Sequence, residues 1–551
     1  MRFAFSRGVI LIAILANLHH VNAEEDTSKP NQRFTADEEL HRKYMEGIQL
    51  CFDWEYEKSR KIFSEILEGE PENPAADFLL GALTLNTIQY YDPDETAELD
   101  KFVYESFERS IKKSDAVLLK NPNDINAHFF KGASHGFRGI FRLQKLQIFS
   151  AASDARVAKT YMDKVIKMNP EFHDAYLGLG IYNYFVDALP SVMRFMRALL
   201  FIPSGGKDKG LEQLTIASEK ATYSRVYARV VLSSLYNNFE ADYLRGYELE
   251  MRAAEDCPRH PWFALERGTL HAYRYFEYED AEQAYLDVIE LAKSDKNFKG
   301  EIKAIAHYRL GRTRYQMFNP RAALDELKKL IDEIENDADS QSDACKEILS
   351  GAHLLMGRIL KRMGKSDEAK VHLKRVGSLP DSKNYRHERM DNRVVIPKQQ
   401  GLRGQASRLM KQVVDSKRAE TYVLSTDAVN ALRKGNEDEA LRFLKKTFAL
   451  KKDHLLARWG MGLYHAGKGE KREALRFFEG VAGARGPASW LNSDARFRAA
   501  LILESLGERD KALEHYRKII ETKSVRLSFK KAALDAVNEK KELKGMPWPS
   551  F

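Results

Sequence analysis

Residues 311–330 read GRTRYQMFNPRAALDELKKL, and the spacing within this stretch predicts the fold. Gly311 is followed twelve residues later by Ala323, and then by Leu327 and Leu330. The same offsets recur in Gly357, Ala369, Leu373 and Val376 and in Gly462, Ala474, Phe478 and Val481. A small residue lets the first helix of a pair approach the second, and the large apolar positions fill the seam between them. The pattern therefore predicts a series of antiparallel helix pairs.

These offsets are typical of tetratricopeptide repeats, which are units of about 34 residues. The predicted fold class is all-α, an α-solenoid of about 11 helix pairs in two arrays with a C-terminal capping helix. The expected segments are a signal peptide at 1–23, an N-terminal linker at 24–39, an array with long helices and insertions at 40–223, a central array at 224–379, a basic connector at 380–418, and a C-terminal array with its capping helix at 419–551.

The composition agrees with a helical protein stabilised by packing. Charged residues make up 30% of the chain and hydrophobic residues 44%, as in ordinary globular proteins. The three cysteines, Cys51, Cys257 and Cys345, form no C-x-x-C motif and allow at most one internal disulfide. A disulfide framework is therefore not expected.

The first 23 residues have the features of a secretory signal. Arg2 and Arg7 form a basic start, an apolar run extends from Gly8 to Leu18, and the small residue Ala23 ends a cleavable stretch. A run of eleven residues is too short to cross a bilayer, which needs about 20 apolar residues. We expect an exported chain that is soluble after cleavage. The absence of any N-x-Ser/Thr acceptor favours a periplasmic location.

A basic stretch dominates the charge distribution. The formal net charge is +8, and residues 382–418 contain ten lysines and arginines against three acidic residues. Such a stretch can bind an anionic membrane surface, whereas nucleic acid is a less suitable partner for an exported chain. A solvated linker between two arrays is the alternative, because Pro380, Pro397 and Gly401 punctuate the stretch.

Residues 178–214 resemble the central motif of a known family. The motif comprises Gly178, Gly180, the pair Leu189-Pro190, an apolar run to Phe201-Ile202, and the pair Gly210-Leu211. It is similar to that of the inclusion-body-clearance tetratricopeptide family, which is tied to the mitochondrial outer membrane. The resemblance implies an interaction role without catalytic residues.

The apolar insert at 186–203 has two interpretations. As a helix, Val192 to Ile202 would be apolar on most of its circumference, interrupted only by Arg194 and Arg197. Such a helix must be buried within the array or lie at a lipid interface. Packing within the array is one reading, and contact with a lipid or an apolar ligand is the other.

The sequence predicts no enzyme, no cofactor and no metal site. Ser204-Gly205-Gly206-Lys207 lacks the flanking residues of a phosphate-binding loop, because Phe201 and Asp208 occupy the required positions. His128 and His135 share one predicted helix face without a third ligand at zinc-site spacing. They are interpreted as ordinary helix histidines.

Two candidate binding surfaces follow from repeat geometry, because the first helix of each pair lines the concave side of a tetratricopeptide array. The first surface is basic with aromatic neighbours, and its predicted partner-binding residues are Tyr308, Arg309, Arg312, Tyr315, Arg358, Lys361 and Arg362. The second is an apolar groove formed by Phe129, Phe130, Phe137, Ile181, Tyr184 and Phe185. Guanidinium groups suit carboxylates through paired hydrogen bonds. A solvated helix face is the alternative for the first set, and core packing for the second.

These observations predict an exported scaffold that binds a peptide or protein segment, acidic in character, in its concave groove. The alternative is a module that handles a small hydrophobic ligand or lipid through the insert at 186–203. The two differ in ligand polarity, since only the first complex would be sensitive to salt.

Overall fold

The computed structural model describes residues 29–53, 55–88, 96–187, 206–256, 260–294, 300–336, 342–379, 402–484, 489–522 and 525–538. These residues form 24 α-helices and no strand, which confirms the predicted all-α solenoid of helix pairs. The predicted signal peptide and the centre of the apolar insert lie outside the described residues. The chain packs as two units, Met1–Phe263 and Ala264–Phe551.

The described residues of the first unit form ten complete helices, several of them long. They are α1 (Glu38–Phe52), α2 (Tyr56–Gly69), α3 (Pro74–Thr87), α4 (Thr96–Lys120), α5 (Ile125–Gln144), α6 (Ile148–Met168), α7 (Asp174–Asp187), α8 (Lys207–Lys220), α9 (Arg225–Leu235) and α10 (Tyr243–Asp256). The longest are α4, with 25 residues, and α6, with 21.

The second unit contains the remaining helices, with α11 starting at the junction of the two units. They are α11 (Pro261–Leu270), α12 (Tyr278–Ser294), α13 (Gly300–Gln316), α14 (Pro320–Asn336), α15 (Asp343–Arg362), α16 (Ser366–Ser378), α17 (Leu402–Lys411), α18 (Ser416–Arg433), α19 (Glu437–Leu450), α20 (Leu455–Gly467), α21 (Lys471–Ala482), α22 (Ser489–Ser505), α23 (Arg509–Glu521) and α24 (Leu527–Asn538). Helix α24 lies where the capping helix was predicted. Helix α17 was not predicted, since its residues belong to the segment interpreted as a connector.

Small residues lie at the helix crossings, as the sequence pattern predicts. A Cβ atom at Gly311 would lie 2.9 Å from Leu327 Cγ, and one at Gly462 would lie 2.6 Å from Phe478 Cε1. The register of the pairs is therefore set by glycine and the large residue sixteen positions later.

The central array and the C-terminal array of the second unit pack against each other. The turns that join α11 to α12 and α13 to α14 contact residues of α18, α22 and α24. Phe318, in the second of these turns, stacks on Trp490 with ring centroids 5.3 Å apart, and its carbonyl accepts a hydrogen bond from Asn430 Nδ2 at 3.3 Å. Arg433 Nη1 donates to the Met317 carbonyl at 2.6 Å. The C-terminal array thus lies along the turn edge of the central array.

The repeat register can be tested at Gly357, where a Cβ atom would lie 2.5 Å from Leu373 Cδ2. We expect Gly357→Leu to destabilise the second unit by about 1 to 3 kcal/mol, because a bulky side chain forces the two helices apart. Gly377→Leu is the matched control, since Gly377 is also helical and a Cβ atom there meets nothing within 4 Å. The measurement is the midpoint of thermal unfolding. Equal midpoints for the two variants would contradict the proposed crossing.

Candidate functional site

Two residues of the predicted basic surface are buried and bonded within the chain. Tyr308 and Arg309, on α13, are only 2% and 4% exposed. Arg309 donates through Nη1 to Thr269 Oγ1 and lies 3.5 Å from the Leu265 carbonyl oxygen, both on α11. The prediction that these two side chains face a partner is therefore wrong, because α13 turns this face toward α11.

Helix α17 accounts for a second difference from the predicted surface. Lys361 is 6% exposed, and its Nζ donates to the Gln412 carbonyl at 2.7 Å. Arg358 is half-buried and donates through Nη2 to Gln405 Oε1 at 3.1 Å. The segment predicted to be a connector thus lies against α15. Lys361 is excluded as a partner-binding residue, whereas Arg358 keeps part of its surface.

The other predicted residues remain at the surface among tyrosines. Arg312 is half-buried, with its guanidinium carbon 5.2 Å from the centre of the Tyr273 ring. Arg362 is exposed, lies 4.3 Å from the centre of the Tyr422 ring, and donates through Nη1 to Tyr315 Oη at 3.1 Å. We call Arg312, Tyr315, Arg358 and Arg362 the arginine surface.

Two guanidinium groups of the arginine surface, those of Arg358 and Arg362, have no carboxylate partner in the described part of the chain. Neither Arg358 nor Arg362 forms an ion pair there, although both make neutral hydrogen bonds. Burial, followed by the neighbouring Tyr315, raises the pKa of Tyr422, so this phenol stays neutral beside Arg362. Tyr273 and Tyr422 were missed by sequence reasoning, because they belong to other helix pairs and only the folded chain brings them to these arginines.

The predicted apolar groove is largely core. Phe129, Phe130 and Tyr184 are 6%, 1% and 1% exposed, which contradicts their assignment to an open groove. Phe137, Ile181 and Phe185 are half-buried. These large side chains belong to the hydrophobic cores formed by α5 and α7 with their neighbouring helices.

Part of the groove is covered by the N-terminal segment, which we define as residues 29–37. Phe34 stacks on Tyr223 with ring centroids 3.7 Å apart and also packs on Phe130 at 4.7 Å. Its N–H donates to Tyr223 Oη at 3.0 Å, and its carbonyl accepts from Asn126 Nδ2 at 2.8 Å. The sequence analysis assigned this segment to a linker. The only signal for it is one phenylalanine in an otherwise polar stretch.

A buried carboxylate holds Tyr223 in place. Asp174, the first residue of α7, accepts hydrogen bonds from the backbone N–H groups of Tyr223 at 3.0 Å and Ser224 at 2.7 Å. Burial raises the pKa of Asp174, and these hydrogen bonds act in the opposite direction. Burial also raises the pKa of Tyr223, so its hydroxyl remains protonated and is shared by Phe34 and His41. Tyr223 therefore presents a neutral hydroxyl to the segment.

The end of α7, just before the apolar insert, packs against an exposed aromatic ring. Tyr184 and Phe185 pack on Phe239, with centroids 6.1 and 6.0 Å apart, and Phe239 is 45% exposed. Tyr184 also donates to Glu240 Oε1 at 2.5 Å. No helix among the described residues is both long and apolar enough to cross a membrane.

The two predicted helix histidines take part in internal hydrogen bonds. His128 Nε2 lies 2.9 Å from the Pro122 carbonyl oxygen, and His135 Nδ1 lies 2.8 Å from Asp154 Oδ1. Burial acts to raise the pKa of Asp154, but hydrogen bonds from His135 and Arg138 outweigh it and place the pKa below its ordinary value. The described ranges contain no group of three side chains placed to hold a metal ion.

Comparison with known proteins agrees with the repeat pattern. The family model for the tetratricopeptide repeat matches residues 494–522, which cover most of α22 and all of α23. No curated protein sequence matches the chain at a significant level.

Solved structures with similar folds are distant. A human IFIT1 dimer with PPP-AAAA shares 13% identity, covering 86% of this chain and 98% of IFIT1, with a TM-score of 0.28. Yeast Tom70 shares 13% identity over 88% of this chain and 100% of its own, with a TM-score of 0.26. The P58(IPK) TPR domain shares 14% sequence identity, covering 75% of this chain and 98% of that domain, with a TM-score of 0.20. TM-scores this low support no inference about what this chain binds.

The matched repeat and the helix pairs that cross at glycine residues define the class of protein. The chain is a tetratricopeptide-repeat protein. Arrays of this class bind other proteins on extended surfaces, so a protein-binding scaffold is the function that the fold indicates.

Proposed function

We propose that this protein is an exported scaffold that binds an acidic segment of a partner protein on the arginine surface. The observation that supports this proposal most directly is the pair Arg358 and Arg362, on adjacent turns of α15, whose described contacts are neutral. Tyrosine rings beside Arg312 and Arg362 hold the guanidinium groups without neutralising them. An acidic peptide would provide the carboxylates.

The neighbouring helix adds positive charge to this surface. Helix α17 packs on α15 through Gln405, while its Arg408 and Lys411 are exposed. Charge-assisted hydrogen bonds from such groups contribute about 1.5 to 3 kcal/mol when shielded and much less when exposed. Half-buried arginines therefore supply affinity, and the exposed residues of α17 mainly speed encounter with an acidic partner.

The arginine surface can be tested with a short fluorescein-labelled peptide of alternating glutamate and serine that has a free C-terminal carboxylate. We expect the double variant Arg358→Gln and Arg362→Gln to bind it at least about tenfold more weakly, which equals about 1.4 kcal/mol. The dependence of affinity on salt concentration should also decrease, because two charges are removed from the contact. Fluorescence anisotropy at several salt concentrations measures both.

The matched control removes two exposed arginines elsewhere in the second unit, Arg442 on α19 and Arg476 on α21. This control changes the net charge equally, so it separates a local site from general attraction. Equal weakening by both double variants would contradict the proposed site. Lipid or another hydrophobic molecule co-purifying with the protein, with no peptide binding, would favour the alternative function at the insert 186–203.

Export is proposed from the N-terminal pattern of basic, apolar and small residues. We expect N-terminal sequencing of the protein from its native source to begin at Glu24, after cleavage behind Ala23. The protein should be recovered in the periplasmic fraction. A chain that retains Met1 and sediments with membranes would contradict this proposal.

A further inference from the structure

We propose that the first unit contains a second binding site, for a short peptide with an aromatic anchor, and that the N-terminal segment (residues 29–37) occupies it as an intramolecular ligand. A partner protein with an exposed stretch that carries a phenylalanine between polar residues would displace the segment. This site lies in the other unit from the arginine surface, so the inference does not rest on the proposed function.

Hydrogen bonds hold the main chain of the occupant in the site. Asn126 Nδ2 donates to the Phe34 carbonyl at 2.8 Å, and Asn169 Nδ2 donates to the Asn31 carbonyl at 2.6 Å. Tyr223 Oη accepts from the Phe34 N–H at 3.0 Å. Backbone groups are common to every peptide, so these three side chains can hold a peptide whose main chain follows the same path.

One side chain of the occupant is specified by an aromatic pocket. Phe34 is 7% exposed, and its ring is nearly parallel to that of Tyr223, with 13° between the planes. Its ring also lies 5.3 Å from Phe129 and 6.5 Å from Phe172, measured between centroids. An anchor in a pocket with hydrogen bonds along the backbone is a common form of peptide recognition.

The ion pair at the start of the segment is exposed. Lys29 Nζ lies 3.2 Å from Glu171 Oε1, with the two side chains 63% and 48% exposed. Asn31 Nδ2 donates to the same carboxylate at 3.3 Å. Exposed ion pairs contribute little, so this end can detach at small cost and let a competitor enter.

The helical array does not need the segment to begin its first helix. Asp37 caps α1 by itself, because its side chain accepts a hydrogen bond from the Leu40 N–H at 2.8 Å. The N-terminal segment forms only one short 3₁₀ turn, at Pro30–Gln32. It runs from the loop before α7 back to α1, across α5, as a ligand laid over the helices would.

The test uses a labelled peptide with the sequence of residues 29–37 and the full mature chain. We expect Phe34→Ala to bind the peptide at least about tenfold more tightly than the unchanged chain, because the tethered segment no longer competes for the pocket. Adding Asn126→Ala to Phe34→Ala should weaken peptide binding again. A peptide with alanine in place of its phenylalanine should not bind either chain.

A matched control distinguishes an emptied site from a loosened core. Phe63 is also fully buried in the first unit but packs on Gly47, at the seam of α1 and α2. Phe63→Ala should therefore not increase peptide binding. An increase equal to that of Phe34→Ala would overturn the proposal.

A second measurement keeps the proposal testable if Phe34→Ala does not fold. An excess of the peptide should accelerate amide hydrogen exchange in residues 29–37 of the unchanged chain, whereas the alanine peptide should not. Exchange that stays equally slow with both peptides would show that the segment is a fixed part of the core, and would overturn the proposal.

Discussion

Arg526→Met is expected to lower the free energy of unfolding of the second unit by about 3 to 5 kcal/mol, because it leaves a buried carboxylate without its cation. Arg526 and Glu277 are 6% and 8% exposed, and Arg526 Nη1 lies 3.0 Å from Glu279 Oε2 and 3.9 Å from Glu277 Oε2. Glu277 also accepts from the Ser528 N–H at 2.8 Å. Burial raises the pKa of Glu277, and Arg526 is the leading influence against it.

Urea unfolding followed by tryptophan fluorescence measures this effect, since Trp459 and Trp490 both lie in the second unit. Arg517→Met is the control, because Arg517 is exposed on α23. Adding Glu277→Gln to Arg526→Met should restore part of the loss, because it removes the uncompensated charge. A loss no larger than that of Arg517→Met would contradict the role assigned to Arg526.

Asp494→Ala is expected to lower the free energy of unfolding of the second unit by a similar amount, about 3 to 5 kcal/mol. Asp494 Oδ2 accepts hydrogen bonds from Arg498 Nε and Trp459 Nε1, both at 2.6 Å. The side chains of Asp494 and Arg498 are fully buried, so the variant would leave a guanidinium group in the core. Asp494→Asn should cost less, because an amide oxygen can still accept one of these bonds.

Thermal unfolding monitored by circular dichroism measures this second prediction. Asp510→Ala is the control, since Asp510 is exposed in the next helix of the same pair. Similar midpoints for Asp494→Ala and Asp510→Ala would show that the buried pair is not needed for stability.

The helix pairs could be predicted from sequence because each crossing is local. Gly357 and Leu373 are sixteen residues apart, and their contact requires only one helix, one turn and the next helix. Periodic spacing carries such information, and it correctly located Gly311 against Leu327 and Gly462 against Phe478.

The surfaces could not be predicted to the same extent, because they depend on contacts between distant segments without periodicity. Phe34 meets Tyr223 across 189 residues, and Arg362 meets Tyr422 across the basic connector. The repeat template predicted that Arg309 on α13 and Lys361 on α15 face the concave side. It contained no information about the packing of α13 on α11 or about the segment that follows α17, which bury these two side chains.

The packing of the C-terminal array along the turns of the central array has a consequence for how this chain can change in evolution. Simple solenoids lengthen or shorten by whole repeats, because each repeat touches only its neighbours. Here Trp490 must meet Phe318, and Ser528 must meet Glu277, so the number of helices between these partners is constrained. Duplicating or deleting a helix pair between α18 and α24 would separate both contacts at once. The number of repeats in the second unit is therefore constrained, whereas its exposed loops can vary in length.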